Sequence, residues 1–303
     1  MKHLISSDFK FHCTHNHHNR CRVIQKAIRC LAQKDVSKLI LEFHDKVIPF
    51  THDPNGNHVI QRSIQVMSSF AKMEEAANNP DIASSLSDQM QFIIDDIVNN
   101  TESLSSHRYG CRVVQRAIEH CVDDQKNEVL EKIISCHKSL VVDQYGNYVI
   151  QQVLVCGSED HLTAILKTLT ENDALLKFSK HKYASNVVEA ILEHGKPDHK
   201  ETILKSLLKD TRAEKGGYCC VIELSKDSIA NYVVNKAIEV SKDELRKDLF
   251  EVIESSRPEL SKSQYGKYVL QKLDKCNSRR LSKDEWCPSV VTGWYMFFVS
   301  LLT

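Results

Sequence analysis

The 303-residue sequence lacks an excess of charge of either sign, since 40 basic residues balance 40 acidic ones. This balance excludes a strong overall field that steers the chain towards nucleic acid or a membrane, although it permits local charged patches. Long apolar runs are missing too. Residues 1–10 do not resemble a signal peptide, and the thirteen apolar-leaning residues at 290–302 are too few to span a bilayer. We expect no membrane partner.

The signatures of common enzymes are also absent. The sequence contains no glycine-rich phosphate loop, no nucleophile elbow and no recognisable frame of paired carboxylates, so we expect neither enzymatic activity nor a cofactor. Metal-type side chains cluster at His12, Cys13, His15, His17 and His18, but no second Cys/His pair follows at finger-like spacing. We therefore expect no bound metal.

Cysteine, by contrast, is well represented, with eleven residues in a chain that shows no secretory signal. This combination favours free thiols in a reducing compartment over a disulfide scaffold. We expect a soluble intracellular protein, located in the cytoplasm.

A five-residue motif recurs along nearly the whole chain and is clearest as Asn-Tyr-Val-Ile-Gln at 147–151. Successive copies are 36, 54, 36, 38, 46 and 36 residues apart. A recurring pattern with a period near 36 residues is typical of solenoid proteins. The seven copies begin at Cys21, Asn57, Cys111, Asn147, Ser185, Asn231 and Lys267.

The third and fourth positions of the motif are apolar in every copy. Val149 and Ile150 are followed four residues later by Val153 and Leu154, which places all four on one side of a helix. The corresponding pairs of the other copies, beginning with Val23–Ile24, are expected to form the core. Further amphipathic stretches lie between the copies, so each unit should contain two or three helices and the array should be all-α.

The first, second and fifth positions are polar and vary between copies. First and fifth residues stand one helical turn apart, on the face opposite to the apolar pairs, where they can form hydrogen bonds to a base edge. Their pairs are Cys21/Gln25, Asn57/Gln61, Cys111/Gln115, Asn147/Gln151, Ser185/Glu189 and Asn231/Asn235. Second residues are mostly flat groups suited to stacking on bases: Arg22, His58, Arg112, Tyr148, Asn186, Tyr232 and Tyr268.

This pattern resembles the Pumilio/PUF RNA-binding domain over about residues 19–276. CRVIQ at 21–25, NHVIQ at 57–61, CRVVQ at 111–115, NYVIQ at 147–151, SNVVE at 185–189 and NYVVN at 231–235 resemble repeats three to eight of that eight-repeat family. QYGKYVLQKL at 264–273 resembles its C-terminal capping half-repeat. The resemblance implies a right-handed α-solenoid forming a curved array, preceded by a divergent remnant at 1–18 and followed by a tail at 277–303.

The family's recognition code implies a base for each pair. Asn with Gln recognises uracil, Cys with Gln recognises adenine, and Ser with Glu recognises guanine. A carboxylate can accept hydrogen bonds from the N1–H and N2–H₂ groups of guanine, which supports the last assignment. Because family members bind RNA antiparallel, the implied target is 5′-UGUAUA-3′, with its first U at Asn231 and Asn235.

Two departures from the family pattern carry expectations of their own. Asn235 is one methylene shorter than the usual Gln, so the first U should be held weakly or through water. Counterparts of the first two repeats are missing, so we expect lower affinity and a more mobile N-terminal end.

Two spacings exceed the period. The 54-residue interval is 18 residues longer than the period, and its surplus at about 69–88 is polar and acidic, so we predict a tolerated surface loop. The 46-residue interval includes residues 215–217, Lys-Gly-Gly, a flexible connection. The hydrophilic start of the tail suggests a linker. The apolar stretch at 290–302 could be a packed helix, a loose tail or an alternative C-terminus, and we expect no part in RNA binding.

By resemblance, the protein should act as a monomer on single-stranded RNA, in the 3′ untranslated region of messengers. It would repress translation or promote decay through co-repressors such as subunits of a deadenylase complex. One alternative is a protein-binding scaffold of armadillo or HEAT type, whose period is also near 40 residues. Another is a ribosome-assembly factor that binds RNA with low specificity. The alternation of stacking and edge-binding side chains favours the first hypothesis.

Overall fold

The computed structural model describes residues 15–171, 174–209 and 220–281. Within these ranges the chain forms eighteen α-helices and no strand, which confirms the all-α prediction. The predictions made for residues 1–14, 215–217 and 290–302 concern positions outside these ranges.

Seven helices carry the repeated motif and are called the motif helices. Each packs against the next along the chain, so that together they form one continuous layer. They are α1 (His15–Cys30), α4 (Gly56–Ala76), α7 (Gly110–His120), α9 (Gly146–Cys156), α12 (Ala184–His194), α15 (Asn231–Val240) and α18 (Gln264–Leu281).

A second layer covers the motif helices on one side. Its members also contact one another in sequence. They are α2 (Gln33–Leu41), α5 (Pro80–Asn99), α8 (Asp123–Val141), α10 (Glu159–Thr170), α13 (Pro197–Leu208) and α16 (Asp243–Ser255). Short helices complete most units: α3 (Val47–His52), α6 (Thr101–Ser105), α11 (Ala174–Lys180), α14 (Cys220–Ser225) and α17 (Arg257–Leu260). Units of two or three helices are therefore confirmed.

The apolar pairs of the motif form the core between the two layers. Val113, Val114, Val149 and Ile150, for example, are completely buried. The prediction was wrong for Val23, which is 52% exposed while its neighbour Ile24 is buried. No described helix lies on the outer side of α1, so no described residue covers this side chain there.

The surplus residues near 69–88 do not form a loop, and that prediction was wrong. They lengthen α4 to 21 residues and α5 to 20, with a short turn at 77–79 in which Asn78 has a φ of 62°. Buried Ala71 and Leu86 show that both extensions have apolar faces, which favours helices over a loop. Nε2 of Gln125 in α8 donates two hydrogen bonds of 2.9 Å to α5, one to the backbone oxygen of Ser87 and one to a glutamine side-chain oxygen. The extension is therefore packed on the following unit.

The outer boundaries of the array also differ from the sequence expectation. The helix α1 begins at His15, inside the segment assigned to the N-terminal remnant, and α18 continues to Leu281, inside the segment assigned to the tail. Residues 277–281, at the start of the segment assigned to the tail, are therefore helical.

Adjacent units are joined by polar contacts as well as by the core. Ion pairs link Lys236 to Glu193 at 3.1 Å and Lys272 to Glu239 at 3.2 Å, each between neighbouring motif helices. In the described ranges, no helix has both the length and the apolar character that are needed to cross a bilayer.

Candidate nucleic-acid interface

A capping side chain begins most of the motif helices. Asp143 lies four residues before the motif of α9, and its Oδ1 accepts hydrogen bonds from the backbone N–H groups of Tyr145 and Gly146 at 2.8 and 2.7 Å. Asp53 and Asp227 make the same pair of bonds. Such a cap satisfies backbone donors that a helix start leaves unpaired. This residue was not among the predicted functional residues, although an Asp or His at that spacing is visible in six copies.

Two units use a histidine as the cap instead. Nδ1 of His107 accepts from the N–H groups of Tyr109 and Gly110 at 3.3 and 3.1 Å, and His181 does the same for α12. An imidazole nitrogen can accept only when it is unprotonated. Burial lowers the pKa of His107, and the nearby His52 and Arg108 lower it further, so the ring favours the neutral form that the cap requires.

The residue before the motif comes very close to the preceding helix. At Gly110, an added Cβ would lie 2.5 Å from the carbonyl oxygen of Leu104, and Gly146 is similarly tight against Leu140. Two units have a buried alanine here, Ala184 and Ala230, so these units accommodate a methyl group. This close approach covers the start of the motif in α4, α7, α9 and α18.

First-position side chains are buried, which corrects the expectation that they lie on the outer face. Asn147 is completely buried, and its Nδ2 donates to the carbonyl oxygens of Asp143 and Gln144 at 2.9 and 3.0 Å. The same arrangement holds for Asn57 and Asn231. The remaining described first positions before α18 are buried as well: Cys21, Cys111 and Ser185. Burial raises the pKa of the Cys111 thiol to about 11, so it stays neutral.

Fifth-position glutamines are held by the first position. Nε2 of Gln151 donates to Oδ1 of Asn147 at 3.1 Å, and Nε2 of Gln61 donates to Oδ1 of Asn57 at 2.8 Å. Gln115 donates instead to the backbone carbonyl oxygen of Cys111 at 3.0 Å. In each case the amide nitrogen is engaged by the protein, so Oε1 is left to accept a hydrogen bond from a ligand. This acceptor suits the N3–H donor of uracil at the Asn/Gln units.

Asn235 breaks this pattern. Its side chain forms no hydrogen bond with a residue in the described part of the chain, and its Oδ1 is buried without a partner. Its side chain is too short to repeat the bond that Gln151 makes to Asn147.

Glu189 has an unusual titration for a carboxylic acid. Burial raises its pKa to about 7, with a further increase from Glu193, while Lys236 acts in the opposite direction. At neutral pH the side chain is therefore divided between its neutral and ionised forms. The ionised form offers two acceptor oxygens and matches a ligand edge that carries two donors, as guanine N1–H and N2–H₂ do.

Second-position side chains project from the motif helices into solvent. Tyr148, Tyr232 and Tyr268 are each about half exposed or more, although they are large hydrophobic groups, and only Asn186 is partly buried. Arg22, His58 and Arg112 are also exposed. Seven successive helices thus present a row of flat groups at one register position, which is an arrangement that fits base stacking.

Charge is distributed unevenly along this row. The pKa of His58 is lowered by partial desolvation of its ring and then by Arg112, Arg22 and Arg62, so these cations of α1, α4 and α7 lie near one another. The C-terminal motif helices α12 and α15 instead carry acidic residues. The N-terminal half of the surface is therefore positive although the whole chain is neutral, and it is suited to attract phosphates.

Within the same described ranges, no group of three or more His, Cys, Asp or Glu residues is arranged to hold a metal ion. His12 and Cys13 of the N-terminal cluster lie outside them.

The sequence matches the Pumilio-family RNA binding repeat seven times. The matched residues are 21–44, 46–70, 100–134, 139–170, 175–208, 220–254 and 258–273. The chain belongs to the Pumilio family. The family and the α-solenoid fold predicted from the motif are thereby confirmed, and the armadillo or HEAT alternative is wrong. The PUF domain is a fold that binds RNA with sequence specificity, and it is not an enzyme fold.

Relatives support the same assignment. The Pumilio domain-containing protein C6G9.14 of Schizosaccharomyces pombe is 29% identical over 273 residues, which is 90% of this chain and 35% of that protein. The chain thus spans about a third of that relative's length. PUF-8 in complex with PBE-RNA is 33% identical, with a TM-score of 0.73 over 85% of this chain and 69% of that one. The Puf3 RNA binding domain bound to Cox17 RNA 3′ UTR recognition sequence site B is 30% identical, with a TM-score of 0.69 over 84% and 70% of the two chains.

Proposed function

We propose that this Pumilio-family protein binds a UGUA-containing element in the 3′ untranslated region of messenger RNA, with the core 5′-UGUAUA-3′. Ser185 and Glu189 carry the proposal. The pair places a half-buried carboxyl group on a motif helix, beside a small first residue that leaves room for a purine. A carboxylate there complements the two donors of guanine and repels the acceptor edge of cytosine.

The neighbouring slots support the remaining bases. The Asn147/Gln151 and Asn57/Gln61 units direct an acceptor outwards through the bond from glutamine Nε2 to asparagine Oδ1, which fits uracil. Cys111 with Gln115 offers a small, neutral first residue, which leaves space for adenine. Cys21 with Gln25 has the same residue types at the start of the array. The order of these units along the chain, taken antiparallel to RNA, yields the proposed core.

Binding would act through other proteins. The PUF fold brings no catalysis, so a messenger bound here is repressed or degraded by recruited co-repressors such as deadenylase subunits, in the cytoplasm and with the Pumilio protein as a monomer. A related Puf3 domain has been solved on a 3′ UTR recognition sequence, which supports messenger RNA as the target class.

A binding titration tests the sequence assignment. Labelled UGUAUA, UCUAUA and a DNA copy of UGUAUA are titrated with the protein, and we expect UGUAUA to bind at least about tenfold more tightly than UCUAUA, because a mismatched base leaves buried polar groups unpaired. Equal affinity for the G and C versions would contradict the assignment and favour RNA binding of low specificity. The matched control is Glu189→Gln, which should lower the preference for G while the thermal unfolding transition is retained.

A reporter assay tests the cellular effect. Messengers with UGUAUA or UCUAUA in the 3′ untranslated region are compared with and without the protein, and we expect lower output and shorter messenger half-life for UGUAUA alone. Tyr148→Ala, which removes an exposed stacking group, should restore both. An effect that is equal on the two reporters would contradict the proposal.

A further inference from the structure

We propose that the slot formed by α15 and α18 binds the first nucleotide of the element chiefly by stacking and does not select uracil over the other bases. The inference rests on the proposed function, since it takes the 5′ end of the RNA to lie at α15. The 5′ position of the element would then accept any base, whereas the other units of the array select one.

This slot lacks the hydrogen bond from the fifth position to the first-position asparagine, which orients the fifth side chain in the other uracil-type units. Asn231 is anchored like Asn147, with Nδ2 donating to the carbonyl oxygens of Asp227 and Ser228 at 2.8 and 3.0 Å. No fifth-position side chain donates to it, because Asn235 is shorter than Gln by one C–C bond of about 1.5 Å. The amide of Asn235 is therefore not held in one orientation by a described residue.

The unpartnered oxygen of Asn235 does not select a base either. Its buried Oδ1 needs a hydrogen-bond donor, and leaving it unpaired costs free energy. All four bases present an N–H donor on the Watson–Crick edge, as does a water molecule that fills the gap left by the shorter side chain. Uracil thus has no advantage at this position.

The walls of the slot nevertheless favour binding. Tyr232 and Tyr268 occupy the second position of adjacent motif helices and are 61% and 49% exposed. The two helices pack together and are joined by the ion pair between Lys272 and Glu239, which fixes their separation. No other pair of adjacent motif helices carries two tyrosines at the second position. Stacking on aromatic rings tolerates every base, because each base has a π face.

The test is a titration of the four hexamers NGUAUA and of the pentamer GUAUA with the intact chain. We expect the four hexamer dissociation constants to agree within about threefold, and the pentamer to bind about tenfold more weakly, which is the size of one stacked base. Tyr268→Ala should weaken all four hexamers equally and leave the pentamer unchanged.

Two matched variants test the role of Asn235. Asn235→Gln supplies the missing donor and should create a preference for U at the first position of about fivefold or more. Gln151→Asn removes the same donor from an intact unit and should abolish the preference for U at the third position. A wild-type preference of tenfold or more for U at the first position, or a pentamer that binds as tightly as the hexamers, would overturn the inference. Comparison of UGUAUA with UCUAUA in the same assay tests the proposed function separately.

Discussion

Gln151 donates a hydrogen bond from Nε2 to Oδ1 of Asn147 at 3.1 Å, while Nδ2 of Asn147 is bonded to two backbone carbonyl oxygens at the start of α9. These bonds fix the direction of the Gln151 amide in the protein without RNA. A pre-oriented acceptor loses less conformational freedom on binding than a mobile one, which favours affinity and selectivity together.

A double-mutant cycle tests this coupling. If Asn147 acts partly by orienting Gln151, then Asn147→Ala should weaken UGUAUA binding less in a Gln151→Ala background than in the wild type. We expect a coupling free energy of about 1 kcal/mol. The same cycle at Asn231 and Asn235 is the control and should give additive effects. Additivity at both units would show that Asn147 does not act through Gln151.

The affinity for the element should depend on pH through Glu189. Its pKa of about 7 means that lowering the pH protonates the carboxyl, whereas guanine needs the ionised form. UGUAUA binding should therefore weaken below pH 7, by at most about tenfold per pH unit, and should be level above about pH 8. Glu189→Gln should show a flatter profile. Parallel profiles for the two proteins would contradict this role.

The Glu189 carboxyl should also make the stability of the fold depend on pH, with stability falling as the pH rises. Because the folded state raises the pKa of Glu189 above its usual value, the folded protein binds more protons than the unfolded one between about pH 4.5 and pH 7, and this group destabilises the fold as the pH rises through that window. The effect of Glu189→Gln on the free energy of unfolding should therefore be more stabilising at pH 8 than at pH 5, by on the order of 1–3 kcal/mol. Urea titrations at both pH values measure it.

Acid should weaken the cap of α7. The folded state lowers the pKa of His107, so its contribution to stability is present above the usual histidine pKa and is lost as the pH falls through the lowered value. His107→Asp installs the cap that α9 has and should reduce the loss of stability between pH 7 and pH 5 by about 1 kcal/mol. Asp143→His is the reciprocal variant and should increase that loss.

Gly110 should not tolerate a methyl group. The added Cβ would lie 2.5 Å from Leu104 O, so the short helix α6 must move away from α7. We expect Gly110→Ala to lower the free energy of unfolding by about 2 kcal/mol. The control is Ala184→Gly, at the same position of a unit that already accommodates a methyl group, and it should cost no more than about 1 kcal/mol. Similar costs for both variants would contradict the steric explanation.

Periodicity in the sequence was sufficient for the fold. The repeated Val-Ile pairs predict a helical array because a helix must bury one apolar face, and the buried Val149 and Ile150 show the result. Val23 is an exception, since a side chain at this position is buried only when a neighbouring unit packs against it. The insertion was misjudged for a related reason: its polar composition concealed apolar positions such as Leu86 that need a partner helix to become a core.

The geometry of the candidate site was harder to foresee. Helical spacing places the first and fifth positions near each other, but it does not show that Asn147 is buried by the preceding turn or that Asp143 caps the helix. Both depend on how the chain enters the helix, which a motif of five residues does not describe. The pKa of Glu189 depends on burial and on Lys236 and Glu193, which come together only in the folded array.

The central claim is that the first and fifth positions of the motif helices α1, α4, α7, α9 and α12 determine the base bound there. The most direct measurement is a change of specificity in the double variant Ser185→Asn/Glu189→Gln, which copies the pair of α9 into α12. We expect the wild type to prefer UGUAUA over UUUAUA by at least about tenfold and the variant to prefer UUUAUA, with unchanged preferences at the other positions. A variant that still prefers UGUAUA, while it remains folded and binds RNA, would contradict the account.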